Sequence, residues 1–222
     1  MPAHLAHPEA RLLDLLAQPE QRGRLLIGLS GLPGSGKSTA AARWVHRVNS
    51  ALGTDVAAAL GMDGFHLSKA ELARFPDPAA ALARRGAPWT FDPHGLRSHL
   101  VALRAGQPLS WPGFEHAVGD PVADALRVGP QTRLALVEGL YLLHADHGWD
   151  LAACFDEHWF LDVPMDLAMS RLAARHIAAN GQTRDQAQAR LDGNDRLNAA
   201  IAWRARDHAH WLVSNPPTAT PS

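Results

Sequence analysis

Apolar runs alternate with amphipathic segments along most of the chain. Four apolar runs have the length of a buried strand: 24–30, 55–63, 133–143 and 156–164. The spacing of apolar residues predicts helices over four further segments: 8–18, 37–52, 165–180 and 183–209. Gly193 is expected to interrupt the last of these helices. This alternation is typical of a three-layer α/β fold with a mostly parallel central sheet.

The stretch 75–130 departs from the alternation, because it is rich in proline and glycine and contains one predicted helix, at 93–105. We interpret this stretch as an insertion that covers an active site and not as a separate domain. The sequence therefore predicts a single domain over 1–214. A disordered tail is expected over 215–222, where proline and small polar residues predominate.

Composition argues against several classes of protein. The 222 residues carry a formal net charge of −1 and contain no long basic run, which disfavours nucleic-acid binding. No apolar run approaches the roughly 20 residues that span a bilayer, and the N-terminus lacks the pattern of a secretory signal. The single cysteine, Cys154, fits a reducing compartment. We expect a cytoplasmic protein without membrane or nucleic-acid partners, with a homodimer as the default assembly.

A phosphate-binding loop is the most specific local motif. Residues 31–38 match the pattern G-x-x-x-x-G-K-[ST] between a predicted strand and a predicted helix. Such a loop turns its N–H groups toward phosphate oxygens, and the helix that follows adds its positive end. Lys37 is expected to reach the β- and γ-phosphates, and the Ser38 hydroxyl to bind Mg²⁺. The predicted nucleotide-binding residues are Gly31, Leu32, Pro33, Gly34, Ser35, Gly36, Lys37, Ser38 and Thr39.

The loop predicts nucleotide binding but does not define the reaction. A GTPase normally carries an Asn-Lys-x-Asp segment that reads guanine, and this chain, whose only lysines are Lys37 and Lys69, has none. Motor and AAA-type ATPases usually end an apolar strand in adjacent acids, whereas the comparable LVEGLY has only Glu138. ATP is therefore the expected nucleotide.

Two acids fall at the ends of predicted strands: Asp63 in GMDGFH and Glu138 in LVEGLY. Ligands of open parallel sheets bind beyond the carboxyl ends of the strands. A kinase of small alcohols needs one carboxylate to accept the substrate hydroxyl proton and another acid to hold the metal. Asp63 suits the first role and Glu138 the second. A self-capping Asp-Gly turn and a solvated strand end are the alternatives.

Several motifs in order resemble one superfamily of kinases. GLPGSGKST, MDGFHL, RRGAPWTFD, WPGFEHAVGDPVADAL, VEGLYLL and GNDRLNA resemble the uridine kinase, phosphoribulokinase and pantothenate kinase superfamily. Within it they are most similar to the branch labelled fructose-transport-system kinase, over roughly 25–212. The resemblance implies a P-loop kinase fold, ATP, Mg²⁺ and a small hydroxylated acceptor such as a sugar, a nucleoside or a pantothenate-like molecule.

The resemblance also implies roles for particular residues. Asp63 corresponds to the base and Glu138 to the acid on the metal side. The acceptor-binding residues that it implies are Asp63, His66, Arg85, Phe91, Asp92, Glu115 and His116. Related sequences tend to have Tyr-Asp-Arg at 114–116 and often Asn at Leu140, so a changed acceptor pocket is expected.

A lid is predicted over about 171–196. Arg171 and Arg175 lie four residues apart on one predicted helix and share a face. Arginines of such a lid stabilise charge that develops on the transferring phosphate, although a solvated helix face is the alternative. Asn194, Asp195 and Asn198 follow, and either a ligand contact or helix capping would explain them. The combined prediction is a phosphotransferase; a nucleotide-binding NTPase or regulatory module without a small-molecule acceptor is the alternative.

Overall fold

The computed structural model describes residues 1–18, 23–115 and 118–214, and among these residues a six-stranded sheet forms the centre of the fold. Its spatial order is β1 (Ala3–Leu5), β8 (Trp211–Val213), β7 (Glu157–Leu161), β2 (Leu25–Gly31), β6 (Leu134–Gly139) and β3 (Ala57–Gly61). Neighbouring strands pair in parallel, which confirms the predicted α/β class.

Helices connect these strands and cover both faces of the sheet. They are α1 (Pro8–Ala17), α2 (Lys37–Leu52), α3 (Lys69–Leu72), α4 (Pro78–Ala83), α5 (Pro93–Arg104), α6 (Met165–Asn180), α7 (Arg184–Arg190) and α8 (Arg196–Arg204). None of the helices in the described ranges is long and apolar enough to cross a membrane.

Two apolar cores form because strand side chains alternate between the faces of the sheet. In β2, Ile27 and Leu29 pack into a core shared with α1, α2, α6 and α8. Leu26, between them in sequence, packs into the other core, with α5 and β4. Both cores are built around the same central strand, so β2 and the loop that follows it have a rigid base.

The structure adds strands that the apolar pattern does not predict. Within the predicted insertion, β4 (Leu109–Glu115) and β5 (Asp120–Val128) form an antiparallel hairpin. The sequence does not predict this hairpin because its strands contain Pro112 and Pro121, and proline is unfavourable within most strands. β1 and β8 have three residues each, too few to show a pattern.

Gly193 does not break the helix as the sequence predicts. Residues Leu191–Asp195 form a π-helical turn that joins α7 to α8, so the chain continues as a helix with one wider turn. Such turns re-aim the side chains around them and occur often at functional sites. The predicted disordered tail, 215–222, lies outside the described residues.

Candidate active site

The phosphate-binding loop joins β2 to α2. β2 ends at Gly31, and α2 begins at Lys37, with Ser38 and Thr39 in its first turn. Gly34 has a φ of +78°, and an added Cβ there would overlap the carbonyl oxygen of Ala168 on α6. Glycine is required at this position both for the backbone conformation and for close packing against α6.

Lys37 and Glu138 lie in adjacent elements and influence each other's ionisation. The Lys37 ammonium is buried and donates to the Leu32 carbonyl at 3.4 Å. Burial lowers the pKa of Lys37, while the charges of Glu138 and Asp63 oppose this effect. Burial raises the pKa of Glu138, and the nearby Lys37 ammonium counteracts the rise. The ammonium of Lys37 and the carboxylate of Glu138 therefore each favour the charged form of the other beside the loop.

Glu138 reaches this position through the register of the sheet. In β6 it stands opposite Leu29 of β2 on one side and Gly61 of β3 on the other. The Ser38 hydroxyl forms a hydrogen bond with Glu138 that favours the ionised carboxylate and lowers its pKa. A hydroxyl and a carboxylate from neighbouring elements thus meet at the edge where β6 ends.

Ser38 and Glu138 fit a magnesium ion. Both present oxygen atoms, which are the ligands that Mg²⁺ prefers. Desolvation raises the pKa of Glu138, and a cation beside a desolvated carboxylate would stabilise its charged form. These two residues are the ones that would hold the ion.

Asp63 lies in a 3₁₀ turn, Met62–Phe65, that follows β3 directly. An added Cβ at the next residue, Gly64, would overlap the Pro112 carbonyl of β4, so the turn and the hairpin are in close contact. The Trp111 indole donates to the Gly61 carbonyl at 2.8 Å from the same strand. These contacts fix the turn that carries Asp63.

A cleft of about 540 Å³ lies between the loop, the Asp63 turn, the insertion and the lid. We call it the acceptor cleft. Its lining residues are Pro33, Asp63, His66, Lys69, Leu82, Ala83, Arg85, Gly86, Phe91, Phe114, Gly119, Leu140, Leu172, Arg175, His176, Gln182, Arg190, Asn194, Asp195 and Asn198. The structure therefore brings together residues that are far apart in sequence and that the motifs singled out separately.

His66 is held between two aromatic rings of this cleft. Its ring centroid is 3.9 Å from that of Phe91 and 4.6 Å from that of Phe114. The Arg85 guanidinium lies over Phe114 at 5.5 Å and pairs with Asp120 at 2.7 Å. These contacts bring three rings and a guanidinium group together among the residues that line the cleft.

Three predicted residues lie away from the acceptor cleft. The Asp92 carboxylate accepts from the Gly95 N–H at 2.9 Å as the N-cap of α5, and it does not line the acceptor cleft. Glu115 is exposed at the end of β4, and Arg171 is exposed on α6; neither lines the cleft. His116 lies outside the described residues.

Arg175, one of the two predicted lid arginines, influences the charged groups beside the loop. It lines the acceptor cleft, and its charge lowers the pKa values of both Lys37 and Glu138. Arg171 contributes to neither of these two pKa shifts. Of the two predicted lid arginines, the structure therefore brings Arg175 to the charged groups of the site.

The π-helical turn aims polar side chains into the cleft. The Asn194 amide donates to the Arg85 carbonyl at 2.8 Å, and the Asn198 amide donates to Asn194 at 3.2 Å. His176 contacts Asp195 at 2.8 Å, and both residues are buried. The three predicted positions, Asn194, Asp195 and Asn198, thus line the cleft and also link the lid to the insertion.

Sequence reasoning missed several lining residues, and the polar ones among them include Lys69, His176 and Gln182. Two of them carry a signal in the sequence. His176 directly follows Arg175 on the lid helix, and Lys69 is one of only two lysines in the chain. Gln182 carries no local signal, because its position follows from how α6 ends at Gly181.

The known proteins that are similar to this chain in sequence carry the names of kinases. No protein-family profile matches the chain. A provisionally assigned uridine kinase of Schizosaccharomyces pombe is 40% identical over 192 residues, which cover 85% of this chain and 80% of that protein. An ATP-dependent kinase-like protein of Aspergillus versicolor is 43% identical over 146 residues, covering 62% of this chain and 84% of that protein.

A solved structure has the same fold. The crystal structure of a provisionally assigned fructose transport system kinase from Silicibacter sp. TM1040 superimposes with a TM-score of 0.79 at 39% identity. The match covers 94% of this chain and 98% of that one. The similarity therefore extends over nearly the whole length of both chains.

Proposed function

We propose a function that starts from the family of this chain, which belongs to the uridine kinase-like P-loop kinases. In this proposal the protein transfers the γ-phosphate of ATP to a hydroxyl of a small metabolite. The observation that carries the proposal is the position of Asp63. Its carboxylate lines a cleft large enough for a metabolite, within electrostatic range of Lys37 and Glu138.

Each charged group has a defined task in this proposal. Asp63 orients the acceptor hydroxyl and takes its proton as the new O–P bond forms and the bond to the leaving ADP oxygen breaks. Lys37 and Arg175 stabilise negative charge on the transferring group and on the leaving oxygens. Ser38 and Glu138 would hold Mg²⁺, which when bound would neutralise part of the phosphate charge.

The rest of the protein contributes positioning. Segments of the stretch 75–130 and of the lid surround the cleft and would exclude water from it, which favours transfer to an acceptor over hydrolysis. His66, in contact with the rings of Phe91 and Phe114, provides aromatic surface against which an acceptor can pack. Orientation of two substrates in this way accounts for much of the rate of such enzymes.

The acceptor is expected to be a sugar, a nucleoside or a pantothenate-like molecule. Two positions at which the sequence departs from related kinases, Phe114 and Leu140, both line the cleft. This placement supports an acceptor pocket that differs from those of the relatives.

A panel of acceptors tests the proposal. ADP release from Mg²⁺-ATP is measured with nucleosides, pantothenate, sugars and glycerate added one at a time. We expect one class to raise turnover about a hundredfold over hydrolysis by water, because an oriented hydroxyl and a base then act together. Slow hydrolysis that no acceptor raises would contradict the proposal and favour a nucleotide-dependent regulatory module.

A further inference from the structure

A second cavity lies on the far side of the segment 82–89 from the acceptor cleft. Leu82, Ala83, Arg85 and Gly86 line the acceptor cleft. The residues between and after them line the second cavity, of about 420 Å³: Arg84, Ala87, Pro88 and Trp89. We call it the α8 cavity, because its opposite wall is formed by the C-terminal end of α8 and the residues that follow. One segment of chain therefore separates two distinct cavities.

The floor of the α8 cavity is apolar. Pro88, Leu143 and Ile201 line it together with three small or aromatic residues, Ala87, Ala205 and Trp89. Trp89 is half-buried and packs beside Phe75, with ring centroids 6.0 Å apart. An apolar floor of this kind favours a ligand with an apolar or aromatic body.

The rim of the α8 cavity is basic. It carries two arginines, three histidines and a single acid: Arg84, Arg204, His144, His147, His208 and Asp146. Among the described residues, no three His, Cys, Asp or Glu side chains form a set that could hold a metal ion. The excess of positive charge instead favours an anionic group.

Within the described part of the chain, Arg204 has no partner for its charge. Its side chain is exposed at the last turn of α8, and it makes no ion pair or side-chain hydrogen bond with any residue that the structure describes. Arg206, two residues later, differs, because it pairs with Asp162 at 2.9 Å. Arg84 makes only two long contacts of 3.3 Å, with the Gly193 carbonyl and with Asn198.

We propose that the α8 cavity binds a small organic anion, with its carboxylate or phosphate held by Arg204 and Arg84 and its apolar body against Trp89, Pro88 and Ile201. Arginine suits this role because its planar guanidinium donates in a fork that matches both anionic groups. The volume of about 420 Å³ lies within the range of known small-molecule sites. The proposal concerns a site separate from the acceptor cleft and does not depend on the proposed kinase function.

Methyl NMR on the full chain can test the site directly. The sequence contains three isoleucines: Ile27 in β2, Ile177 on the exposed side of α6 and Ile201 in the α8 cavity. The protein is first saturated with Mg²⁺ and a non-hydrolysable ATP analogue, so that the phosphate-binding loop is occupied. Phenyl phosphate, benzoate, inorganic phosphate and phenol are then titrated separately, with the isoleucine methyl groups as probes.

We expect phenyl phosphate or benzoate to shift the Ile201 methyl signal saturably, with Ile27 and Ile177 unchanged. Inorganic phosphate and phenol, which each carry half of the ligand chemistry, are expected to bind at least about tenfold more weakly. The tighter of the two aromatic anions identifies the preferred head group. The absence of a saturable Ile201 shift with both of them, or shifts confined to Ile27 and Ile177, would overturn the proposal.

A pair of variants distinguishes the site from nonspecific binding. Arg204→Ala is expected to weaken the aromatic anion about tenfold or more, because it removes a charged donor. Arg196→Ala, at the start of the same helix, is the matched control, since Arg196 is exposed, pairs with Asp192 and lines neither cavity. Equal affinities of the two variants and the parent chain would show that Arg204 holds no anion.

Discussion

The Lys37 ammonium and the Glu138 carboxylate offset each other's loss of solvation. Burial alone lowers the pKa of Lys37 and raises that of Glu138, so each group by itself tends toward its neutral form. The opposite charge of the partner works against both shifts. The pair stands where β6 ends beside the phosphate-binding loop, and it makes this edge of the sheet suited to triphosphate and metal.

Replacement of Lys37 tests the nucleotide side of the site. Lys37→Ala is expected to weaken ATP binding about tenfold and to lower turnover by about two orders of magnitude or more, because it removes a charge-assisted donor. Calorimetry for binding and ADP release for turnover measure the two effects. Arg47→Ala is the control, since Arg47 lies on the exposed side of α2 and pairs with Glu9. Unchanged ATP affinity and rate in Lys37→Ala would contradict the loop assignment.

The lid arginines are expected to differ. Both side chains are exposed, but Arg175 lines the acceptor cleft and lowers the pKa values of Lys37 and Glu138, whereas Arg171 does not line the cleft. Arg175→Ala is therefore expected to lower turnover about a hundredfold, with a much smaller loss for Arg171→Ala. Steady-state kinetics of the two variants compare them. A larger loss at Arg171 would show that lid closure brings that residue to the phosphates instead.

Gly64 is expected to tolerate no side chain. An added Cβ would overlap the Pro112 carbonyl, and backbone cannot yield as a flexible side chain can. Gly64→Ala is expected to lower the free energy of unfolding by about 2 kcal/mol. Gly193→Ala provides the comparison, because a Cβ there meets nothing within 4 Å, and we expect a change within about 0.5 kcal/mol. Urea titration measures both, and equal stability of the two variants would contradict the packing.

Buried His158 is expected to make stability depend on pH. Burial lowers the pKa of His158, and nearby His210 adds to this effect. The unfolded chain therefore binds the proton more readily, so the free energy of unfolding falls as pH decreases below about 6.5 and levels off below the folded-state pKa. Urea titrations between pH 7.5 and 5 measure the slope. His158→Gln should reduce this slope relative to the parent chain, and an unchanged slope in the variant would contradict the prediction.

Much of the nucleotide side could be predicted from the sequence, because its determinants are local. The loop lies between β2 and α2, while Glu138 stands near the carboxyl end of β6 and Asp63 follows the neighbouring strand β3, so both lie at one edge of the sheet. Asp92 carries a local signal for a structural role: Asp followed by Pro93 is typical of a helix N-terminus, and in the structure Asp92 is the N-cap of α5.

The acceptor side could not be predicted to the same extent, because long-range contacts define it. The contact of His176 with Asp195 joins α6 to the π-helical turn, and no local pattern encodes it. The hydrogen bond from Asn194 to the Arg85 carbonyl spans 109 positions of the sequence. The hairpin that carries Phe114 could not be predicted either, because its strands contain prolines. Periodicity predicts elements, but it does not predict which elements meet.

The most direct test of the account is Asp63→Asn, assayed with the acceptor that the panel identifies. The substitution keeps the size of the side chain and removes its ability to take a proton. We predict that acceptor-dependent turnover falls by about two orders of magnitude or more, with ATP affinity within about twofold of the parent chain. Near-normal turnover in Asp63→Asn, at unchanged ATP affinity, would contradict the role of Asp63 as the base.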